Sequence, residues 1–65
     1  MTGEDLRRIR EEIGLKQSGL ADILGLKPQT ISDLERGKMK ISKSVENHVL
    51  ARYALWKIKN LASDP

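Results

Sequence analysis

The sequence predicts an all-α domain in which four helices, or at most five, pack around one small core. Apolar residues recur at helical spacing through most of the chain, and no segment alternates as a strand would. Helix-ending glycines at positions 14, 25 and 37 and a helix-starting proline at position 28 divide the chain at short intervals. With 65 residues, the chain is long enough for one domain only.

The composition argues against several classes of protein. The chain has no cysteine and a single histidine, so we expect no disulfide, no metal site and no cofactor. It has no catalytic cysteine, no paired histidines and no carboxylate pair beside a base, so we expect no enzyme. No apolar stretch approaches a membrane span and no signal peptide begins the chain, which favours a cytoplasmic protein without membrane contact.

The first helix is predicted to begin at Thr2 and to end at Gly14. Thr2 is a favourable N-cap, and two acids in the first turn, Glu4 and Asp5, complement the helix dipole. Gly14 can adopt the left-handed conformation that ends a helix. The apolar face of this helix consists of Leu6, Ile9 and Ile13.

Two short helices joined by a tight turn follow. The second is predicted over residues 17–24, and the third from Pro28, a favoured first helical residue, to Gly37. Gly25 lies where the turn needs a left-handed backbone, and Ala21 is small where the third helix crosses the second. Their shared core is predicted to contain Leu20, Leu24, Leu26, Ile31 and Leu34. The pattern predicts a helix-turn-helix whose second helix faces outward, although a purely structural helical hairpin has the same spacing.

The outer face of the third helix carries short or planar polar side chains that suit a DNA major groove. Its members are Pro28, Gln29, Ser32 and Asp33. Gln29 can pair with adenine, Asp33 can accept a hydrogen bond from cytosine, and Ser32 can serve either base. Alternatively, Asp33 is neutralised by Arg36 at i+3 and reads nothing.

A basic segment follows the third helix. Between positions 36 and 43 there are four cations and no acid: Arg36, Lys38, Lys40 and Lys43. With a net charge of +3 and a pI near 9.5, this cluster favours a polyanionic partner such as nucleic acid. An ordinary solvated loop is the alternative.

The fourth helix is predicted to begin at Ser42 or Ser44 and to run to about residue 60 or 61. It carries two apolar stripes, and one of them suffices to cover the core. The first stripe consists of Val45, Val49, Tyr53 and Trp56. The second consists of Leu50, Ala54, Ile58 and Leu61. We expect the second stripe to form a homodimer interface, the alternative being wide core coverage.

The segment from Leu15 to Gly37 resembles the helix-turn-helix of the lambda-repressor-like Cro/CI (XRE) family. The matching residues are Gln17, Leu20, Ala21, Gly25, Thr30, Ile31, Leu34, Glu35 and Gly37. The resemblance implies a single lambda-repressor-like domain over residues 1–65 that binds double-stranded DNA, usually as a dimer on a palindromic operator. The sequence departs from the family at Lys16, which cannot cap the second helix, and in its single long last helix.

The resemblance also assigns roles to residues. It places Pro28, Gln29, Ser32 and Asp33 against bases. With the basic segment, it leads us to expect phosphate or groove-wall contacts from Lys16, Gln17, Lys27, Thr30, Arg36, Lys38 and Lys40. Arg10 and Glu35 match a pair that ties the first helix to the third.

The function predicted from the sequence is that of a sequence-specific transcriptional regulator, a repressor, that reads the major groove with its third helix. The alternative is a protein-interaction module, such as an antitoxin-like partner that binds another protein through the C-terminal helix.

Overall fold

The computed structural model describes residues 1–62 as four α-helices without a strand. These are α1 (Gly3–Ile13), α2 (Gln17–Leu24), α3 (Pro28–Glu35) and α4 (Lys43–Ala62). The predicted all-α class is confirmed, with four helices and no fifth in this part of the chain. The last three residues of the predicted domain lie outside the described residues.

Reciprocal side-chain hydrogen bonds fix the start of α1. The Thr2 hydroxyl accepts from the Asp5 backbone N–H, and the Asp5 carboxylate accepts from the Thr2 backbone N–H, each at 3.1 Å. The second of these bonds is the main reason why the pKa of Asp5 lies below its ordinary value. The helix ends at Gly14, which has a φ of 85°. Both predicted ends of α1 are therefore correct.

The helix-turn-helix is formed by α2 and α3, as predicted. Gly25 follows α2 with a φ of 69°, so the turn uses the left-handed backbone that a Cβ disfavours. Pro28 is the first residue of α3. The third helix ends at Glu35, before the predicted Gly37, because Arg36 already leaves helical geometry and Gly37 reverses the chain with a φ of 77°.

The core is small and draws on all four helices. Its buried residues are Leu6, Ile9, Leu20, Ala21, Ile31, Leu34 and Val49. Ala21 is completely buried, in agreement with its expected place in the α2–α3 packing. Leu24 and Leu26 differ from the prediction, since they are only partly buried and pack against the margin of this cluster.

A close approach between α1 and α3 requires a glycine at position 3. A Cβ built there would lie 2.5 Å from the Leu34 carbonyl oxygen and nearer still to that of Glu35. Backbone carbonyls cannot turn away as a flexible side chain can. Gly3 therefore allows the first turn of α1 to rest on the last turn of α3.

The fourth helix begins after Ser42, whose hydroxyl accepts a 3.1 Å hydrogen bond from the Val45 backbone N–H. Ser42 was one of the two predicted starting points. Among residues 43–61 of α4, Val49 is the only one that belongs to the buried core, so most of this part of the helix lies over the domain rather than within it. None of the helices within residues 1–62 has the length and apolar composition of a membrane span.

Candidate nucleic-acid interface

The structure brings the four predicted base-reading residues together on the outward side of α3. Pro28 and Gln29 are exposed, and Ser32 and Asp33 are partly exposed. Ile31 lies on the opposite side of the helix and is buried, because the helical repeat places it away from the four polar residues. The arrangement presents one polar helix face to solvent over a fixed apolar base.

Two of these side chains are bonded to each other. The Gln29 Nε2 donates to Asp33 Oδ1 at 3.1 Å, one helical turn away. The Arg36 Nη2 lies 3.8 Å from the same oxygen, which is the pairing that the sequence offered as an alternative role for Asp33. The Gln29 contact was not anticipated from the sequence, although an amide and an acid at i and i+4 were a signal for it.

A nearly buried ion pair joins α1 to the end of α3. Arg10 Nε and Nη2 donate to the two Glu35 carboxylate oxygens at 2.5 and 3.1 Å. The Arg10 and Glu35 side chains are only 11% and 4% exposed. Arg10 Nη1 also donates to the Leu15 carbonyl at 2.9 Å. The Glu35 hydrogen bond raises the pKa of Arg10 above its ordinary value, which already keeps the guanidinium charged throughout the usual pH range.

The side chain of Gln17 points into the protein and not toward the place expected for a phosphate. Its Nε2 donates to Glu35 Oε1 at 3.1 Å and so links α2 to the same carboxylate. The nearly buried Glu35 carboxylate needs donors in place of water, and Gln17 lies at the start of α2 where it can supply one. The sequence expectation placed this side chain outside.

The lysines around the helix-turn-helix pair with no acid in the part of the chain that the structure describes. Four of them are exposed and form no ion pair within residues 1–62: Lys16, Lys27, Lys38 and Lys40. By contrast, Arg7 and Arg8 on α1 each pair with an acid of the same helix, and Lys43 pairs weakly with Glu46. Cations available to a polyanion therefore lie at the starts of α2 and α3 and in the segment after α3.

Both helices of the motif start without a side-chain cap. Lys16 and Lys27 are the N-cap residues of α2 and α3, and neither makes a capping hydrogen bond. The first backbone N–H groups of a helix carry partial positive charge and bind anions when no side chain occupies them. The start of α2 thus combines backbone donors with a lysine, whereas α3 begins with Pro28, which has no N–H, and offers Lys27 with fewer backbone donors.

The sequence profile of the helix-turn-helix family matches residues 6–45, which is more than half of the chain. The chain belongs to the Cro/CI-type (XRE) helix-turn-helix family. Its helix-turn-helix is accordingly that of a DNA-binding regulator. The family resemblance carried by residues 15–37 is confirmed, and the match also takes in most of α1. No curated protein and no solved structure gives a significant match to this XRE domain.

After the family match ends, the described residues 46–62 all belong to α4, and this helix exposes apolar side chains. The stripe predicted for dimerisation is exposed throughout: Leu50, Ala54, Ile58 and Leu61. Leu55 is also 57% exposed and was missed, because it belongs to neither predicted stripe. Together with Trp56 it lines an apolar cavity of about 260 Å³ between α4 and the first two helices.

Proposed function

We propose that this XRE domain is a sequence-specific regulator, acting as a repressor, that reads the major groove of double-stranded DNA with α3. The observation that supports the proposal is the polar outward face of α3 within a set of lysines that have no acidic partner in residues 1–62. Such a domain seated on an operator would exclude other proteins from the same groove.

In this proposal, base recognition and phosphate binding are carried out by different residues. Gln29 offers a planar amide that matches the N6 and N7 edge of adenine, and Ser32 and Pro28 complete the contact with the bases. The phosphates and the groove wall are contacted by Lys16, Lys27, Thr30, Arg36, Lys38 and Lys40. Gln17 contributes to phosphate binding through its backbone N–H, since its side chain holds Glu35.

The test compares a residue expected to recognise a base with a residue expected to bind a phosphate. An operator is selected from random duplexes, and dissociation constants for operator and random DNA are measured at two salt concentrations. Gln29→Ala should weaken operator binding by about 1–3 kcal/mol and leave random DNA nearly unchanged. Lys38→Ala should weaken both alike and reduce the salt dependence by about one counterion. Equal operator-to-random ratios in the two variants would show that α3 is not the reading element.

The exposed stripe of α4 supports a homodimer as the DNA-binding form. Ile58 and Leu61 are 62% and 74% exposed, which is unfavourable for two large apolar residues on one face of a monomer. A two-fold dimer through this stripe would place the two copies of α3 on a palindrome, about 34 Å or one DNA turn apart.

Sedimentation equilibrium tests the dimer. Wild type should self-associate at micromolar concentrations, and Ile58→Asp should be monomeric because it places a charge in the apolar contact. His48→Asp is the matched control, an exposed position on α4 outside the stripe, and it should dimerise like wild type. A wild type that stays monomeric at high micromolar concentration contradicts the dimer.

The second candidate function is a protein-interaction module, antitoxin-like, which binds another protein through α4. It is favoured by the apolar side chains that α4 exposes beyond the family match, including Leu55. A monomeric wild type whose operator affinity is insensitive to Ile58→Asp would exclude a second copy as the occupant of the stripe and leave a different protein as the remaining candidate.

A further inference from the structure

We propose that Asp33 is a positioning residue: it reads no base itself, but holds the Gln29 amide in the one orientation that selects adenine over guanine. The inference rests on the proposed function, because it assigns a role within the reading face of α3. The 3.1 Å bond from Gln29 Nε2 to Asp33 Oδ1 carries it, together with Arg36 at 3.8 Å from that same oxygen.

The chemistry of the two side chains fixes which way the amide points. An ionised carboxylate only accepts hydrogen bonds, so the NH₂ group of Gln29 must face Asp33 and the carbonyl oxygen must face away. In the arrangement we propose, Asp33 takes the Nε2 hydrogen that lies cis to Cγ. The remaining hydrogen and Oε1 then lie along the free edge of the amide, one donor beside one acceptor.

That free edge complements adenine and not guanine. Adenine presents the N7 acceptor and the N6 donor in the major groove, which match the donor and acceptor of the held amide. Guanine presents two acceptors, N7 and O6, so the Gln29 carbonyl oxygen would face O6 without a hydrogen between them. An amide released from Asp33 could rotate and direct its NH₂ group at guanine. The held orientation therefore excludes a competing base.

Arg36 explains how an acid can occupy this place. An isolated carboxylate on a DNA-facing helix would repel the phosphates, whereas Arg36, the residue directly after α3, lies 3.8 Å from Asp33 Oδ1 and offsets part of that charge. The Asp33 side chain is also only 25% exposed, with the Gln29 amide and the Arg36 guanidinium both close to its Oδ1. The three side chains form a row along the helix, and the member that meets the base is Gln29, which is exposed.

The deciding experiment measures dissociation constants for the selected operator and for every single-base-pair variant of it. The base pair read by Gln29 is the one whose preference disappears in Gln29→Ala. Asp33→Ala should lower the adenine-to-guanine preference by about fivefold or more at that same base pair. It should have no further effect there when combined with Gln29→Ala. Asp33→Glu, which keeps an acceptor at i+4, should restore part of the preference.

Asp22→Ala is the matched control for charge. Asp22 is an exposed acid of the same motif, and no side-chain partner is found for it within residues 1–62. Its removal should strengthen binding to all duplexes slightly and change the preference at no base pair. In the free protein, NMR of the Gln29 side-chain amide gives a readout that needs no DNA. Asp33→Ala should shift the bonded proton upfield and Asp22→Ala should not.

Three outcomes separate the possibilities. If Asp33→Ala changes the preference at a different base pair, additively with Gln29→Ala, then Asp33 reads a base directly. The positioning role is then wrong, although the proposed function stands. If Asp33→Ala leaves every preference and the Gln29 amide signals unchanged, the bond does not position the amide, which also overturns the role. A wild type that prefers no sequence refutes the proposed function and this inference together.

Discussion

Removing one partner of the Arg10–Glu35 pair should strongly destabilise the domain, while removing both should be milder. The pair lies almost out of solvent, and three donor groups from two residues converge on the Glu35 carboxylate. Glu35→Ala leaves the Arg10 charge without its acid, and Arg10→Ala leaves the carboxylate with Gln17 alone. Losing one member of a buried pair costs about 3–5 kcal/mol, and we expect about 3 kcal/mol here because Arg10 keeps some contact with water.

The loss is large compared with the stability of so small a domain. At roughly 0.05–0.15 kcal/mol per residue, the whole domain is stable by about 3–10 kcal/mol. A change of about 3 kcal/mol lowers the melting temperature by roughly 12–24 °C for a domain of this size. The Arg10→Met, Glu35→Leu double variant buries no unpaired charge and should lose clearly less than either single variant.

Urea unfolding followed by the fluorescence of Trp56 and by circular dichroism measures these free energies. The matched control is the Arg7–Glu11 pair, which lies on α1 with side chains 65% and 56% exposed. Replacing Arg7 by methionine should cost no more than about 1 kcal/mol. Single variants of Arg10 and Glu35 that each lose less than 1 kcal/mol, with additive effects in the double variant, would refute the reasoning.

Two further predictions concern α1 and its neighbours. Gly3→Ala should destabilise by about 1–3 kcal/mol, because the new Cβ meets the Leu34 and Glu35 carbonyls. In the control Gly19→Ala, the new Cβ meets only the Leu15 side chain at 3.4 Å, so this variant should be neutral or more stable by up to about 1 kcal/mol. Urea unfolding of both variants measures the difference, and equal losses of stability would contradict the prediction. The hydrogen bond from the Thr2 N–H lowers the pKa of Asp5, so the ionised carboxylate stabilises the folded state. This stabilisation is present above about pH 4 and is lost as the pH falls through the folded-state pKa. Unfolding free energies of wild type and Asp5→Asn should therefore converge in acid, and a constant difference from pH 6 to 2 would contradict this cause.

Helix boundaries were predictable from the sequence because their causes are local. The Thr2 cap, the left-handed Gly14 and Gly25, and Pro28 each act on the backbone within a few residues, and the structure has a helix end at each. The end of α3 was placed too late, since a left-handed glycine can follow the last helical residue by two positions and still serve to reverse the chain.

Side-chain partners were harder to predict, because they depend on which acceptors the fold brings near. Nothing in the sequence around Gly3 indicates that two carbonyls of α3 lie against it, more than thirty residues along the chain. The same holds for Gln17, whose amide could equally have faced solvent until Glu35 was placed beside it. The Arg10–Glu35 contact was open to prediction only because the resemblance to a known family supplied the pairing.

The contacts of α3 separate the residues that hold the helix from those that face outward. Its C-terminal end is fixed by the close approach of Gly3 and by the Glu35 carboxylate, which bonds to α1 and α2. The bond between Gln29 and Asp33, in contrast, joins two residues of the same helix and reaches no other element. A substitution at Asp33 should therefore alter what α3 presents without moving the helix, whereas a substitution at Glu35 should release the helix itself.

An exposed intrahelical pair contributes only about 0.2–0.5 kcal/mol, so Asp33→Ala should unfold in urea almost as wild type does. A loss of stability comparable to that of Glu35→Ala would mean that Asp33 anchors the fold and that the two roles are not separate.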